Sequence, residues 1–500
     1  MTQAESRPRA GTTHHEIVIV GSGFSGIGMG IALRKAGRHD FIILEKAADV
    51  GGTWRENHYP GAACDVPSNM YSYSFEPNPD WSRSYSPQAE ILDYIRHCAS
   101  KYGVMPHLRF RQELLEARWK ADEGLWHLAT GGGERYTCRF LVSAVGGLSR
   151  PALPRVKGLA DFQGPMFHSA DWNHDVDLDG KRVAVIGTGA SAIQFVPQIQ
   201  PRVGKLVLMQ RTPPWIIPKV DVAIDDRVQG LFRRVPLAQR MMRNSVYWIS
   251  ETFGLGFVHP KLMAGVEAWA RKHLREQVAD PVLRDKLTPD YAVGCKRVLF
   301  SNNYYPALAQ PNVEVVAAGV KEVTADSVID ANGDEHKVDV VICGTGFDVQ
   351  DPLGPLHIYD EDGQELRARG SLSGYMGIVA PKLPNLFFLL GPNSGLGHNS
   401  IIFMSEAQIS YILKCLDELD RRRAGTIEVT EEAAREFNED IQRQLKKMVW
   451  NAGGCSSWYL NEKGENNTLW PGFTWKYWLR TRHPEFSHFV LAPSREKQAG

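Results

Sequence analysis

The sequence predicts an α/β protein built from two strand–turn–helix–strand units in series, the second carrying a helical insert. Three observations predict it: a glycine-rich turn directly after an apolar strand at residues 16–26, a second copy of that arrangement at 182–192, and a length of 500 residues, too long for one ordinary core. Apolar residues at 43% and charged residues at 23% are ordinary values for a globular chain. Lys plus Arg equals Asp plus Glu at 57 each, which removes any electrostatic reason to expect nucleic acid or an anionic membrane surface as a partner. A small, largely neutral ligand fits better.

The opening residues 1–15 are polar and lack the apolar core of a secretory signal. No later stretch approaches the roughly 18 consecutive apolar residues of a membrane span. Cys64, Cys98, Cys138, Cys295, Cys343, Cys415 and Cys455 are odd in number, widely spread and without a CxxC pair, so they read as reduced thiols in a cytoplasmic chain.

In chain order, EIVIV is a strand, GSGFSG a tight turn, the stretch to about Lys35 a helix and FIILE a second strand. Three short runs, LEARWK, LWHLAT and TCRFLVSA, are divided by the turn-rich ADEG and GGGE and read as an antiparallel meander laid over the first sheet. The second unit runs from RVAVIG through GTGASA to KLVLMQR. Residues from about 220 to 290 place basic and aromatic side chains at helical spacing, as in LFRRVPLAQRMMRNSVYW; a solvated helix face is preferred there over a membrane or partner surface. Strands return at VEVVAAG, DVVICG and LFFLLG, and the aromatic-rich segment from about Gly453 is placed back against the first unit.

Gly21, Gly23 and Gly26 hold the GxGxxG positions. The first permits the turn, the second lets backbone approach a pyrophosphate, and the third lets helix and strand pack closely, with the helix N-terminus facing the anion. Phe24 and Ser25 complete this loop, and Glu45, 24 residues after Gly21, ends the second strand where a carboxylate can accept from ribose hydroxyls. The second loop has Gly187, Thr188, Gly189, Ala190, Ser191 and Ala192, with Gln194 following, and 24 residues after Gly187 stands Arg211. A guanidinium pairs bidentately with a 2′-phosphate that a carboxylate would repel, and Thr212 can add a hydroxyl. The acidic first site therefore suits FAD and the basic second site NADPH. The expected fold is two Rossmann-like dinucleotide-binding domains: an FAD domain from residues 1–150 and 340–500, and an NADPH domain from 151–339 with the helical insert.

GGTWRENHYPGAACD, residues 51–65, carries Gly52, Trp54, Tyr59, Pro60, Gly61 and Asp65; FQGPMFHSADWN, residues 162–173, carries Phe162, Gly164, His168 and Trp172. Together they resemble the two fingerprints of type I Baeyer-Villiger monooxygenases, flavoenzymes that convert ketones to esters or lactones. Asn173 departs from the usual Pro or Asp. The likeness extends to GCKRVLF, GTGFD, GPNSGLGHNS and SSWY. The related N- and S-oxygenating flavin monooxygenases usually place Tyr or Phe at the position of Trp172. The resemblance implies that NADPH reduces FAD, that oxygen adds to the flavin, and that the flavin peroxide attacks a ketone, with sulfide oxidation as a side activity. It implies that Arg297 stabilises the peroxide anion, that Asp65 holds this arginine, that Lys296 assists at the 2′-phosphate and that Trp458 closes over the nicotinamide. Thr53, Trp54 and Tyr71 join Asp65 as candidates on the flavin side, and His168 is assigned to domain positioning. A peroxide anion needs a charge that cannot lose its proton, which Arg supplies better than Lys. No histidine pattern has metal-ligand spacing, and no metal is expected. A scaffold that binds both nucleotides without turnover would have no use for Asp65 and Arg297.

Arg211→Ala should raise KM for NADPH far more than KM for NADH, because only the first carries the phosphate being paired. Steady-state kinetics with both cofactors check this; equal losses would mean that Arg211 serves structure.

Overall fold

The computed structural model describes residues 11–369, 373–455 and 457–493. Residues 1–10 and Ser456, at the head of the SSWY stretch, lie outside the described residues. The first sheet has eight strands, in the order His357–Tyr359, Leu114–Lys120, Leu125–Thr130, Arg135–Ser143, Thr13–Val20, Phe41–Glu45 and Leu108–Phe110, with Leu386–Phe388 also pairing on Arg135–Ser143. Its parallel centre is buried on both faces, which is why FIILE is uninterruptedly apolar until its terminal acid. Helix Phe24–Lys35 is buried along nearly its whole length, between this sheet and helix Ile401–Arg422.

The meander does not lie over the first sheet but extends it. Arg135–Ser143 pairs antiparallel with Leu125–Thr130 on one side and parallel with Thr13–Val20 on the other, so one strand serves both arrangements. Side-chain alternation marks strands but does not say which edge they join.

The second sheet is wholly parallel, in the order Val313–Val316, Lys205–Met209, Arg182–Ile186, Val340–Cys343 and Met166–His168. Since Val340–Cys343 lies in this sheet beside Arg182–Ile186, the return to the first sheet comes after Cys343 rather than at the expected boundary between 339 and 340. The closing segment packs helix Thr474–Thr481 against helix Ile401–Arg422 and pairs Phe489–Pro493 with Ala424–Val429.

The insert is four helices, Asp226–Arg234, Pro236–Val258, Met263–Gln277 and Pro281–Lys286; Asp225 and Asp280 cap the first and last. Its longest helix is fastened to the first domain by Glu251, which accepts from Thr474 Oγ1 at 2.6 Å, Thr474 N at 3.1 Å and Asn399 Nδ2 at 2.7 Å, with His398 Nε2 at 3.3 Å. Burial alone would push the Glu251 carboxyl up; bonds from His398, Thr474 and Asn399 outweigh it and hold it below the usual range. The outward face of this helix is solvent-exposed, and it carries Leu237, Met241, Trp248 and Ile249. Among the described residues no helix is long and apolar enough to cross a membrane.

Gly21, at φ +101°, turns its carbonyl toward helix Phe24–Lys35, and a Cβ on Gly26 would lie 1.9 Å from that oxygen. Gly26→Ala should therefore destabilise the protein by the cost of forced overpacking, about 1–3 kcal/mol or more. Gly230→Ala, in a helix where an added Cβ meets nothing within 4 Å, should be neutral or stabilising by up to about 1 kcal/mol. Thermal unfolding of the two variants side by side tests the contrast.

Candidate active site

Each glycine loop divides its labour in the same way. A Cβ at Gly21 would meet the Ala144 carbonyl oxygen at 2.7 Å and one at Gly187 the Gly344 oxygen at 2.4 Å, so both first glycines are needed for packing against the turn after a neighbouring strand. A Cβ at Gly23 would meet only Gly52 Cα at 3.7 Å and one at Gly189 only Gly344 O at 4.0 Å. The second glycines leave space outside each turn, which is what a pyrophosphate requires. Both following helices begin without a side-chain cap and without an acidic residue in the first turn, so their amide donors are available to an anion. The loops fit two dinucleotides.

Around the first loop, Glu45 is buried, accepting from Ser22 N at 2.9 Å, Ser22 Oγ at 2.6 Å and Ala47 N at 2.9 Å, with Arg55 Nη1 at 3.4 Å. Ser25 is turned away from the loop, its hydroxyl bonded to Ser405 at 3.0 Å. Thr53 and Trp54 start helix Thr53–Glu56; Trp54 Nε1 donates to the Tyr71 hydroxyl at 3.0 Å, and Phe24 meets Tyr71 edge-on at 5.3 Å. Thr53, Trp54, Phe24 and Tyr71 thus stand along one aromatic wall beside Gly52.

Around the second loop, the Thr188 hydroxyl donates to the Thr212 carbonyl at 3.1 Å. Arg211 is exposed and, among the described residues, makes no ion pair. Lys296 stands near it: burial, then the neighbouring Arg211 charge, lower the lysine's pKa. Two cations kept together suit a dianionic phosphate. Ala190 is exposed and Ala192 buried, and Gln194 leaves the helix toward the first domain.

That side chain joins the two units. Tyr59 Oη donates to Gln194 Oε1 at 2.9 Å, the Ala63 amide reaches the same oxygen at 3.3 Å, and Gln194 Nε2 returns a bond to Ala63 O at 3.0 Å. Burial pushes the Tyr59 hydroxyl up to about 12, so it remains a donor. Gly61 lies against the same helix, where a Cβ would meet Gln194 O at 2.9 Å. Trp172 and Tyr59 both pack on Phe195 of that helix, at 5.2 Å and 6.1 Å.

Two residues beyond Ala63, Asp65 Oδ1 accepts from Arg297 Nη2 at 2.7 Å. Arg297 stands two residues before a parallel ribbon in which Leu299–Phe300 pairs with Ile216–Ile217. Its side chain is 39% exposed, a charge on a wall rather than in a core, and the Asp65 carboxylate raises its pKa further. Tyr459 is buried close by, its hydroxyl raised to about 12 by burial against the pull of Arg297. Burial raises the adjacent Cys64 thiol, which removes it as a nucleophile.

Trp458 is exposed, its backbone carbonyl taking Gln350 Nε2 at 2.8 Å. His168 is buried beside Phe347; Nδ1 accepts from Ala170 N at 3.1 Å, and burial lowers its pKa, so it is neutral and supports positioning. Sequence reasoning missed Arg55, Tyr459 and Lys219. Lys219 is mostly buried, 3.8 Å from Asp221, with its pKa lowered by burial and raised in part by Asp65. Only the pairing of Ile216–Ile217 with the arginine's own strand could have brought it to notice.

The cysteines need correction. Cys295 and Cys455, 160 residues apart, form a disulfide, and Cys64, Cys98, Cys138, Cys343 and Cys415 are free. Gly453 makes the approach possible, since a Cβ there would sit 2.8 Å from Cys295 Sγ, and Ala292 N donates to Gly453 O at 3.2 Å. Local spacing is blind to a pair that the fold assembles.

Residues 14–383 match the family described as flavin-binding monooxygenase-like. The chain is 49% identical over 486 residues to a Baeyer-Villiger monooxygenase of Pseudomonas aeruginosa, covering 96% of this chain and 92% of that one. It is similar to the structure of an oxidised steroid monooxygenase bound to NADP, at TM-score 0.86 and 29% identity over 96% of this chain and all of the other. It is similar too to OTEMO in complex with FAD and NADP, at TM-score 0.87 and 26% identity over 96% of this chain and all of the other.

Thiol titration of the unfolded protein, prepared without reductant, should count five free thiols, and seven after reduction. Seven before reduction would show that Cys295 and Cys455 are not joined.

Proposed function

The chain belongs to the flavin-binding monooxygenase-like family, and we propose that it is an NADPH- and oxygen-dependent Baeyer-Villiger monooxygenase that inserts one oxygen atom beside a ketone carbonyl to give an ester or lactone. The observation that carries this reading is the Asp65–Arg297 pair at 2.7 Å, held between two nucleotide loops of opposite electrostatic character. The identity to a named Baeyer-Villiger monooxygenase supports the same assignment. A cytoplasmic location fits the nicotinamide it consumes.

FAD would be held by Gly21, Gly23 and the first helix N-terminus, with Trp54 and Tyr71 alongside; NADPH by Gly187, Gly189 and the Arg211–Lys296 pair. Bound FAD, reduced by NADPH, supplies the activation of oxygen. The protein's own contribution is electrostatic. Arg297 keeps its proton at any working pH and places a permanent positive charge where negative charge develops on oxygen. Asp65 fixes the direction of that charge, and its loop is fixed in turn by Gln194. Because the arginine is partly exposed, its strength depends on what else fills the cleft: bound cofactors exclude water and sharpen the field. A neutral ketone adds no competing charge. Sulfide oxidation is a side activity that the same site would support.

Arg297→Ala should still bind FAD and oxidise NADPH, since the loops that hold them lie elsewhere. Ester formation should fall about 100- to 1,000-fold, with hydrogen peroxide released in its place. Asp65→Ala should weaken ester formation less, leaving the charge but not its orientation. Ester, peroxide and NADPH are measured on each variant with one ketone panel. Ester made by Arg297→Ala at close to the unmodified rate would overturn the assignment.

A further inference from the structure

The chain is neutral overall, but one stretch of its insert, residues 227–266, is not. Between Asp226 and Glu267 the only acidic residue is Glu251, and it is buried against Asn399 and Thr474. The same stretch carries six cations. Arg233 pairs with Asp80 at 2.5 Å, and Arg243 turns inward to the Asn69 carbonyl at 2.8 Å. Arg227, Arg234, Arg240 and Lys261 remain exposed and, among the described residues, without an ion pair.

The insert also exposes apolar side chains to a degree that water does not favour. On helix Pro236–Val258, Leu237 is 64% exposed, Met241 62% and Trp248 58%, with Leu255, Ile249 and Phe253 also outward. At about 100° per residue, Leu237, Met241, Trp248 and Leu255 share an arc of about 40°. These four side chains recur along one side of the helix, with the exposed Asn244 and Thr252 between them, and apolar exposure of this kind can mark a covering partner. The inward face of the helix is already occupied by Glu251, Phe257 and Arg243 packing on the first domain.

We propose that this face of the insert is an interfacial surface that rests on anionic lipid. Its outward Trp, Met and Leu side chains enter the headgroup boundary, and Arg227, Arg234 and Arg240 meet the phosphates. Among the described residues no helix is long and apolar enough to cross, and the proposed attachment is peripheral. A second copy of the chain fits less well: a two-fold contact would set the unpaired arginines of one copy against those of the other, with no outward carboxylate on this helix to offset them.

The test is co-sedimentation of the FAD-loaded enzyme with vesicles of phosphatidylcholine alone, and with vesicles in which a quarter of the lipid is phosphatidylglycerol. The enzyme should pellet with the second kind only, and be released by salt. Arg234→Glu with Arg240→Glu should lower partitioning by about tenfold or more. Trp248→Ser should also lower it, and turnover of a dissolved ketone should be unchanged in both variants. Failure to bind anionic vesicles, or equal binding to both kinds that charge reversal leaves intact, overturns the proposal. So does a concentration-dependent dimer, seen by light scattering and dispersed by Trp248→Ser, in an enzyme that ignores lipid; that result assigns the face to a second copy.

Discussion

Gln194 leaves the first turn of a helix in one nucleotide fold and binds the Tyr59–Ala63 loop of the other at both its ends. The same loop also meets the second domain through His58 on His174 at 2.8 Å and through Tyr59 on Phe195. Asp65 is two residues further along, too close in sequence to move independently of Ala63. Arg297 comes just before a two-residue ribbon, and its side chain is oriented by the carboxylate it meets. Gln194 thus ties the Asp65 loop to the second fold, alongside the tether that Glu251 makes from the insert. The contact is tolerant of neither bulk nor rotation, since Gly61 sits where any Cβ would press on the helix backbone.

The two loops are similar in backbone and opposed in charge. Glu45 at the first is largely satisfied from within, by Ser22, Ala47 and Arg55, so its carboxylate is fixed before any ligand arrives. At the second, beyond the effect of burial, Arg211 lowers the pKa of Lys296 by more than Asp290 raises it, a repulsive arrangement that an anion relieves. The first site is preorganised and the second strained by like charge. This is reasonable for one cofactor that stays through many cycles and another that is exchanged in each.

Legibility in the sequence followed the range of the interaction. Gly21, Gly23, Gly26 and Glu45 are readable because turn, helix start and strand end lie within one short unit, and Arg211 repeats that spacing. Asp65 and Arg297, 232 residues apart, could be joined only through resemblance, since nothing local to either announces the other. The meander was recognised as strands but put in the wrong place, because alternation reports burial and not partners. The disulfide was missed for the same reason. The insert was expected to present a solvated helix face, and helical spacing alone did not say that Leu237, Met241 and Trp248 would be among the side chains on it.

Ala192 stands where the first unit has Gly26, and the structure places the compensation across the sheet. In the first unit the helix residue is glycine and the facing residue Ala144; in the second the helix residue is alanine and the facing residue Gly344, whose own Cβ would lie 3.3 Å from that of Ala192. Each pair holds one methyl group between helix and sheet, supplied from opposite sides. The two nucleotide folds are therefore not interchangeable cassettes. A chimera that puts the second helix into the first unit must first turn the Gly21 carbonyl away, because it would lie 1.9 Å from the new Cβ at position 26, whereas Ala144 at 3.6 Å would be in ordinary contact.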